Sequence, residues 1–298
     1  MSATLSPAAA AAAPRPASPS SGFWRRFRRN RGAVAGLVVL AAVALLVALG
    51  PLLATNSPWD MVQQPFLAPL QEPGFPLGTD TLGRDIYAGV VHGARVSLLI
   101  GVVSTVVSLL IGVTIGAVAG YFGRWVDATL MRFTELFQAV PSFALAIVLV
   151  AIFQPSVASI VSAIALVSWP PVARLVRGEF LALRQRDFVA AAQLAGLSTP
   201  RIIVGQILPN AASPIVVMAS LMVATAILLE SSLSFLGLGD PNQMSWGYMV
   251  GAARTVLRQA WWMAVFPGLA IVLTVLALNL VGEGLNDGLN ARAEGRTR

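Results

Sequence analysis

The chain has 298 residues, of which 56% are hydrophobic and only 11% charged, and its net charge of +7 is the balance of 20 basic residues, all arginine, against 13 acidic ones. Soluble domains carry about 25% charged residues, so a water-facing surface cannot be covered here and an ordinary soluble enzyme is excluded, as is a disordered chain. With no cysteine and a single histidine, His92, there is no disulfide framework, thiolate nucleophile, cysteine metal site or imidazole cluster.

Residues 1–22 are rich in Ala, Pro and Ser and are expected to form a disordered leader. Phe23, Trp24 and Phe27 lie among arginines 25, 26, 28, 29 and 31. That pattern reads as an interfacial anchor on an anionic leaflet, or as a plain topology signal. The apolar run that follows, 33–54, is longer than the core of about 7–15 residues in a cleaved signal peptide, so it reads as a retained span.

A helical crossing needs about 20 apolar residues. Uncharged runs of 28 residues lie between Arg31 and Asp60, Arg95 and Arg124, and Arg201 and Glu230, and one of 24 lies between Arg258 and Glu283. These are four spans. The 38-residue stretch 136–173 is either one span with ragged ends or two short spans joined at Gln154-Pro155-Ser156, where proline interrupts a helix. Arginine placement decides between them. With two spans, sixteen arginines share the side of both termini and four (Arg84, Arg95, Arg254, Arg258) lie opposite; with one span the split is ten and ten. The positive-inside rule therefore predicts an all-α polytopic protein with six transmembrane helices and both termini cytoplasmic. The chain divides into the leader 1–22, a basic anchor with the first span and an extracytoplasmic segment over 23–95, a five-span core over 96–290, and a tail over 291–298.

In the second span Gly112 and Gly116 have the spacing of closely packed membrane helices. Ser156, Ser159 and Ser162 recur every three residues at the start of the fourth span and suit helix packing or a wet path. His92 reads as a surface or packing residue.

The cytoplasmic loop between spans four and five reads Asp187-Phe188-Val189-Ala190-Ala191-Ala192-Gln193-Leu194-Ala195-Gly196. Asp187 is a candidate cap, the alanines favour helix, and Gly196 suits a left-handed stop. Thr199-Pro200 restarts a helix, with Thr199 as cap and proline in the first turn. A helix of about two turns results, with Ala191, Ala192 and Ala195 on one face of small side chains. An ordinary connector has the same local pattern.

This segment resembles the EAA loop of ABC importer permeases, which has a glutamate, two alanines, a glycine four positions on and a later Leu-Pro pair. Here these are Ala191-Ala192, Gly196 and Leu208-Pro209, with Ala190 standing where the family has glutamate. Two further stretches resemble the C-type permease subunit of dipeptide, oligopeptide and nickel importers. One is Gly78-Thr79-Asp80-Thr81-Leu82-Gly83-Arg84-Asp85 before the second span. The other is Leu233-Ser234-Phe235-Leu236-Gly237-Leu238-Gly239, followed by Ser245-Trp246-Gly247 and keeping only Pro241 of a proline pair.

The resemblance, over residues 23–290, implies the type I ABC importer permease fold in a bacterial-type cytoplasmic (inner) membrane. It implies a transport subunit with no catalytic residues that couples ATP hydrolysis elsewhere to passage of di- or oligopeptides; nickel complexes and glutathione stay open. Asp187, Phe188, Ala191, Ala192, Ala195, Gly196, Leu208 and Pro209 would contact the ATPase. ATP and magnesium would sit on two cytoplasmic ATPase subunits, since a chain without lysine has no Gly-x-x-x-x-Gly-Lys loop. A second related permease, an extracytoplasmic solute-binding protein and membrane lipid complete the expected partners; no nucleic acid is expected.

Gly78, Thr79, Asp80, Gly83, Arg84 and Asp85 form a family signature. The two aspartates suit glycine-enabled turns, with a calcium site as the alternative reading. Glu230, at the end of the fifth apolar run, either faces the translocation path, pairs with a partner's arginine, or is structural with water in reach. A secondary transporter would place acidic residues deep in the spans, where this chain has none, and no nucleophile–base or metal constellation points to a membrane enzyme.

Overall fold

The computed structural model describes residues 19–54 and 56–294. All regular structure there is helical. A short amphipathic helix α1 (Pro19–Arg29) leads through Asn30 into α2 (Arg31–Leu53). Residues 56–85 form an irregular segment ahead of α3 (Ile86–Phe122). Next come α4 (Arg124–Ala139), α5 (Ser142–Phe153) and α6 (Val157–Leu183). Two short helices, α7 (Asp187–Leu194) and α8 (Thr199–Ile202), precede a π-turn over Ile203–Ile207. The chain continues through α9 (Leu208–Leu233), a second π-turn (Ser234–Leu238), α10 (Trp246–Ala253) and α11 (Trp262–Glu294).

Helices α3 and α6 form the centre. Gly112, Gly116 and Gly120 are notches into which α6 sinks. A Cβ on Gly112 would lie 2.5 Å from Val172 Cβ, on Gly116 2.4 Å from the Ala173 carbonyl oxygen, and on Gly120 2.5 Å from Phe180 Cβ. Contacts this close are the usual route to helix association where lipid removes the hydrophobic drive. The partners advance together along both chains, so α3 and α6 are parallel. The intervening segment must therefore return across the membrane.

That return is made by α4 and α5, which meet at an 81° bend, so the third span is not the single apolar helix expected near 136–153. The 12 residues of α5 cover only about 18 Å, less than a hydrocarbon core of about 30 Å. The amphipathic α4 supplies the remainder. The break to α6 falls at the expected Gln154-Pro155-Ser156. Gln154 has φ +64, and Ser156 and Ser159 form a reciprocal capping box that starts α6. These two serines are thus cap residues rather than part of a wet stripe.

The first and last described helices, α1 and α11, meet on one side. Phe27 packs at Gly284 and Phe23 at Gly288 of α11, and Asn30 Nδ2 donates to Asp287 at 3.0 Å. An even number of crossings follows. Among the described residues five helices are long and apolar enough to span alone, and the bent pair α4–α5, taken as one broken span, brings the number to six. The apolar side chains left exposed on α2, α3 and α11, such as Val38, Leu110 and Val272, are those a bilayer would cover.

The leader of 1–22 lies outside the described residues up to 18, and its last four residues open α1. The tail of 291–298 continues α11 as far as Glu294, and its remaining residues lie outside the described ones.

Candidate functional site

The arginine-rich surface is built on the ends of α3, α4 and α6. Arg177 grips Asp127 of α4 through two parallel contacts, Nε to Oδ1 and Nη2 to Oδ2, the second at 2.6 Å. Arg184 Nη1 donates to the Gly120 and Tyr121 carbonyls at 3.2 and 2.9 Å, satisfying the orphan end of α3. Neither partnership is legible in the sequence, because 50 and more residues separate the partners and no periodicity links them.

From this platform the chain turns at Arg186 into α7, whose eight residues match the expected short helix. Its N-cap is Arg186, so Asp187 is the first helical residue rather than the cap; Asp187 still complements the positive helix end. Likewise Ser198, not Thr199, occupies the cap position of α8. The stop is a Schellman motif. Gly196 has φ +76, its N–H donates to Gln193 O at 3.0 Å, and Leu197 N–H donates to Ala192 O at 3.1 Å.

The faces of α7 differ from the expected alanine face. Ala192 is buried, and with Val189 it packs into the cluster of Val176, Phe180, Ile202 and Ile207. Ala191 and Ala195 remain outside with Asp187 and Phe188, and Leu194 is 91% exposed. Ala192 thus fastens the helix, while its neighbours present a small, apolar outer surface. Ala190, where a family glutamate is missing, is also exposed.

Beyond α8 the backbone widens into the π-turn, with Leu208 N–H reaching back to Ile203 O. Pro209, in the first turn of α9, brings no N–H, and Asn210 Nδ2 covers the Gln206 carbonyl at 2.7 Å. The Leu208-Pro209 pair therefore marks a joint between the loop and span five.

A cavity of about 560 Å³ lies among α5, α6, α9 and α11. Its walls are mostly apolar, with Ser168 and Pro171 of α6, Ser213, Pro214 and Thr225 of α9, and Asn286 of α11. Pro171 and Pro214 interrupt the ladders of the two helices that form its sides.

The signature before α3 is a fold lock. Thr79 is fully buried; its Oγ1 accepts from Leu67 N–H at 2.9 Å and donates to Gln64 O at 2.8 Å, and its carbonyl accepts from Trp262 Nε1 at 3.0 Å. Gly78 and Gly83 have φ +78 and +77, with the Leu67 and Gln63 carbonyls where a Cβ would be. Asp80 accepts from Leu82 and Arg84 N–H, and the Arg84 guanidinium lies 4.9 Å over Trp59. Asp85 caps α3 through Tyr87 N–H at 2.8 Å. Burial pushes its carboxyl above the ordinary carboxylate range, against the pull of the Tyr87 and Ala88 N–H groups and the Asn56 side chain.

Glu230 is buried at 1% exposure and does not line the cavity, so the expected reach to water is absent. Its Oε1 accepts from Ser234 Oγ at 2.8 Å and Ser245 Oγ at 2.7 Å. Ser245 in turn caps α10 through Tyr248 N–H, and Gly247 leaves room for the carboxylate, which a Cβ would meet at 2.9 Å. Trp246, fully buried, donates its N–H to Ser97 Oγ and its Nε1 to Val90 O on α3. The stretch after span five is thus a second lock, joining α9, α10 and α3. No group of three or more metal-ligating side chains occurs among the described residues.

Over residues 112–295 the chain matches the family described as "Binding-protein-dependent transport system inner membrane component", and over 18–73 that described as "N-terminal TM domain of oligopeptide transport permease C". It is 39% identical over 281 residues to the di/tripeptide transport system permease protein DppC of Pseudomonas aeruginosa (strain UCBPP-PA14), covering 92% of this chain and 93% of that protein. To the dipeptide transport system permease protein DppC of Escherichia coli (strain K12) it is 42% identical over 286 residues, covering 94% and 95%. Among solved structures, the MetNI methionine ABC transporter in inward-facing conformations has a chain similar in fold. Its TM-score is 0.54 at 18% identity, over 65% of this chain and 93% of that one.

Proposed function

This chain belongs to the family of inner membrane components of binding-protein-dependent transport systems, and from that membership we propose that it is the permease subunit through which di- or tripeptides enter the cell. The observation that carries the substrate class is identity of 39 to 42% to dipeptide and di/tripeptide permeases along more than nine-tenths of the chain. As a family member it works with a solute-binding protein outside and ATPase subunits inside. In the proposed assembly a second, related permease packs beside the α6–α9–α11 face and completes the path begun by the cavity.

The ATPases contact the outer face of α7: Asp187, Phe188, Ala191, Leu194 and Ala195. Support comes from the exposure of that face beside a rigid inward face, and from the Gly196 stop that fixes its direction. When two ATPases close on ATP, α7 moves with the ends of α6 and α9, and the spans pass from inward-open to outward-open. Leu208 and Pro209 serve as the joint. Glu230 acts as a hub that keeps the outer ends of α9 and α10 together during this movement, supported by its three serine partners.

The test is uptake by liposomes containing this chain with its partner permease and ATPases, and the binding protein in the lumen-free phase. Labelled dialanine should accumulate with ATP and not without it. Uptake of a nickel complex or glutathione in preference to dialanine would replace the substrate class. Uptake by liposomes holding only this polypeptide would overturn the ATP-driven reading in favour of a secondary transporter.

A further inference from the structure

Helix α1 has two faces with different destinations. Phe27 is only 4% exposed, and its ring fills the notch at Gly284, where a Cβ would meet it at 3.0 Å. Phe23 fills the notch at Gly288, where a Cβ would lie 2.6 Å from the ring. The two phenylalanines therefore belong to α11 and do not insert in lipid, which corrects the simple anchor expected of them. The Asn30–Asp287 hydrogen bond closes the same joint from the α2 side. On the other face Arg25, Arg26, Arg28 and Arg29 are exposed, and the Arg28 guanidinium lies 5.6 Å over the half-exposed Trp24 ring. Among the described residues, none of Arg25, Arg26, Arg28, Arg29 or the following Arg31 has an acidic partner.

We propose that the arginine face of α1 binds anionic phospholipid headgroups of the cytoplasmic leaflet, and that this contact steadies the inner end of α11 and so the mouth of the transport cavity. Only Asn30 separates α1 from a membrane span, which holds the arginines at the height of the lipid phosphates. A tryptophan beside them suits the headgroup layer. A basic face of this kind is complementary to a fixed sheet of negative charge. The link to transport is short: Asn286 and Leu289, which line the cavity, flank Asp287 and Gly288, which hold Asn30 and Phe23. The inference rests on the permease reading only through its uptake readout; the lipid contact is measured independently.

The chain has no native cysteine, so Trp24→Cys accepts a single environment-sensitive fluorophore. The labelled full chain is placed in vesicles of phosphatidylcholine alone or mixed with phosphatidylglycerol. Emission should shift to the blue as phosphatidylglycerol increases. Replacing Arg25, Arg26, Arg28 and Arg29 together by Gln should shrink that shift at least about twofold, while Lys at all four positions should keep it. In the complete transporter, ATP-driven uptake should rise with phosphatidylglycerol for the unmodified chain and stay flat for the Gln variant. Labelling at an added cytoplasmic cysteine, Gln185→Cys, confirms that the Gln variant keeps its orientation. An emission shift equal in the Gln variant, or absent from the Arg chain, overturns the lipid site. A shift without any lipid dependence of uptake overturns the link to α11.

Discussion

Gly116→Ala is the sharpest probe of the architecture, because the parallel packing of α3 on α6 is what forces the return crossing. The added Cβ would lie 2.4 Å from the Ala173 carbonyl oxygen and 2.8 Å from Val176 Cβ, where ordinary contact begins near 3.4 Å. A backbone oxygen cannot rotate away, so the helices must separate by about 1 Å at this point. A gap of that size forfeits about a quarter to a half of each affected dispersion contact, and the notches at Gly112 and Gly120 are pulled open with it. Overpacking of this kind costs about 3 kcal/mol at its upper range. Alanine returns about 1 kcal/mol through helix propensity. A net loss of about 2 kcal/mol corresponds to a melting temperature lower by about 4–8 °C for the purified chain in detergent. Gly178→Ala is the control: it lies on the same helix pair, is exposed, and its Cβ would meet nothing within 4 Å. It should leave the melting temperature unchanged or raise it. If thermal unfolding followed by tryptophan fluorescence placed the two variants together, close packing at Gly116 would be refuted, and with it the parallel arrangement.

Ala191→Arg should leave the stability of the purified chain within about 0.5 kcal/mol but abolish co-purification of the ATPases. Ala192→Arg should instead cost about 3 kcal/mol or more by forcing a charge among Val189, Ile202 and Ile207; equal thermal stability of the two variants would contradict the assigned faces. For Glu230, Gln keeps an acceptor for Ser234 and Ser245 and should be mild, whereas Leu leaves two buried hydroxyls unpaired and should cost about 2–3 kcal/mol in denaturation; a Gln variant as damaged as Leu would point to a role for the charge itself. Asp85→Asn should keep the α3 cap, while Asp85→Ala should lose about 1 kcal/mol. Because burial raises the Asp85 carboxyl in the folded chain, the proton favours the fold. The Asp85 contribution is therefore greatest below the ordinary aspartate pKa and falls as pH rises through the raised one, and a pH series of melting temperatures should show that decline vanish in Asp85→Asn. Arg177→Lys retains charge but not the paired contacts with Asp127, and should lower stability by about 1 kcal/mol or less, since the pair is partly solvated.

The number of crossings was legible in the sequence, because span length and arginine asymmetry are one-dimensional signals imposed by the bilayer. The short helix α7 and its Gly196 stop were legible too, since capping and left-handed backbone act within a few residues. Which face of α7 points outward was not: Ala191 and Ala192 are chemically identical, and only the position of Ile202 and Ile207 beneath the helix separates them. The bent third span escaped for a related reason. Composition measures how much of 136–153 is apolar, whereas its path is set by Asp127 meeting Arg177, 50 residues away. Glu230 stands out as an ionisable residue in an apolar run, with Ser231 and Ser234 near it in sequence, but its closest partner, Ser245, comes from a loop folded back over the end of α9. The phenylalanines of α1 looked like lipid anchors until Gly284 and Gly288 of the last helix supplied the notches for their rings. Local chemistry and solvent partition are written along the chain; the pairing of distant surfaces depends on which helices come to lie side by side, and that was decided by the glycine notches and long-range polar contacts of the folded protein.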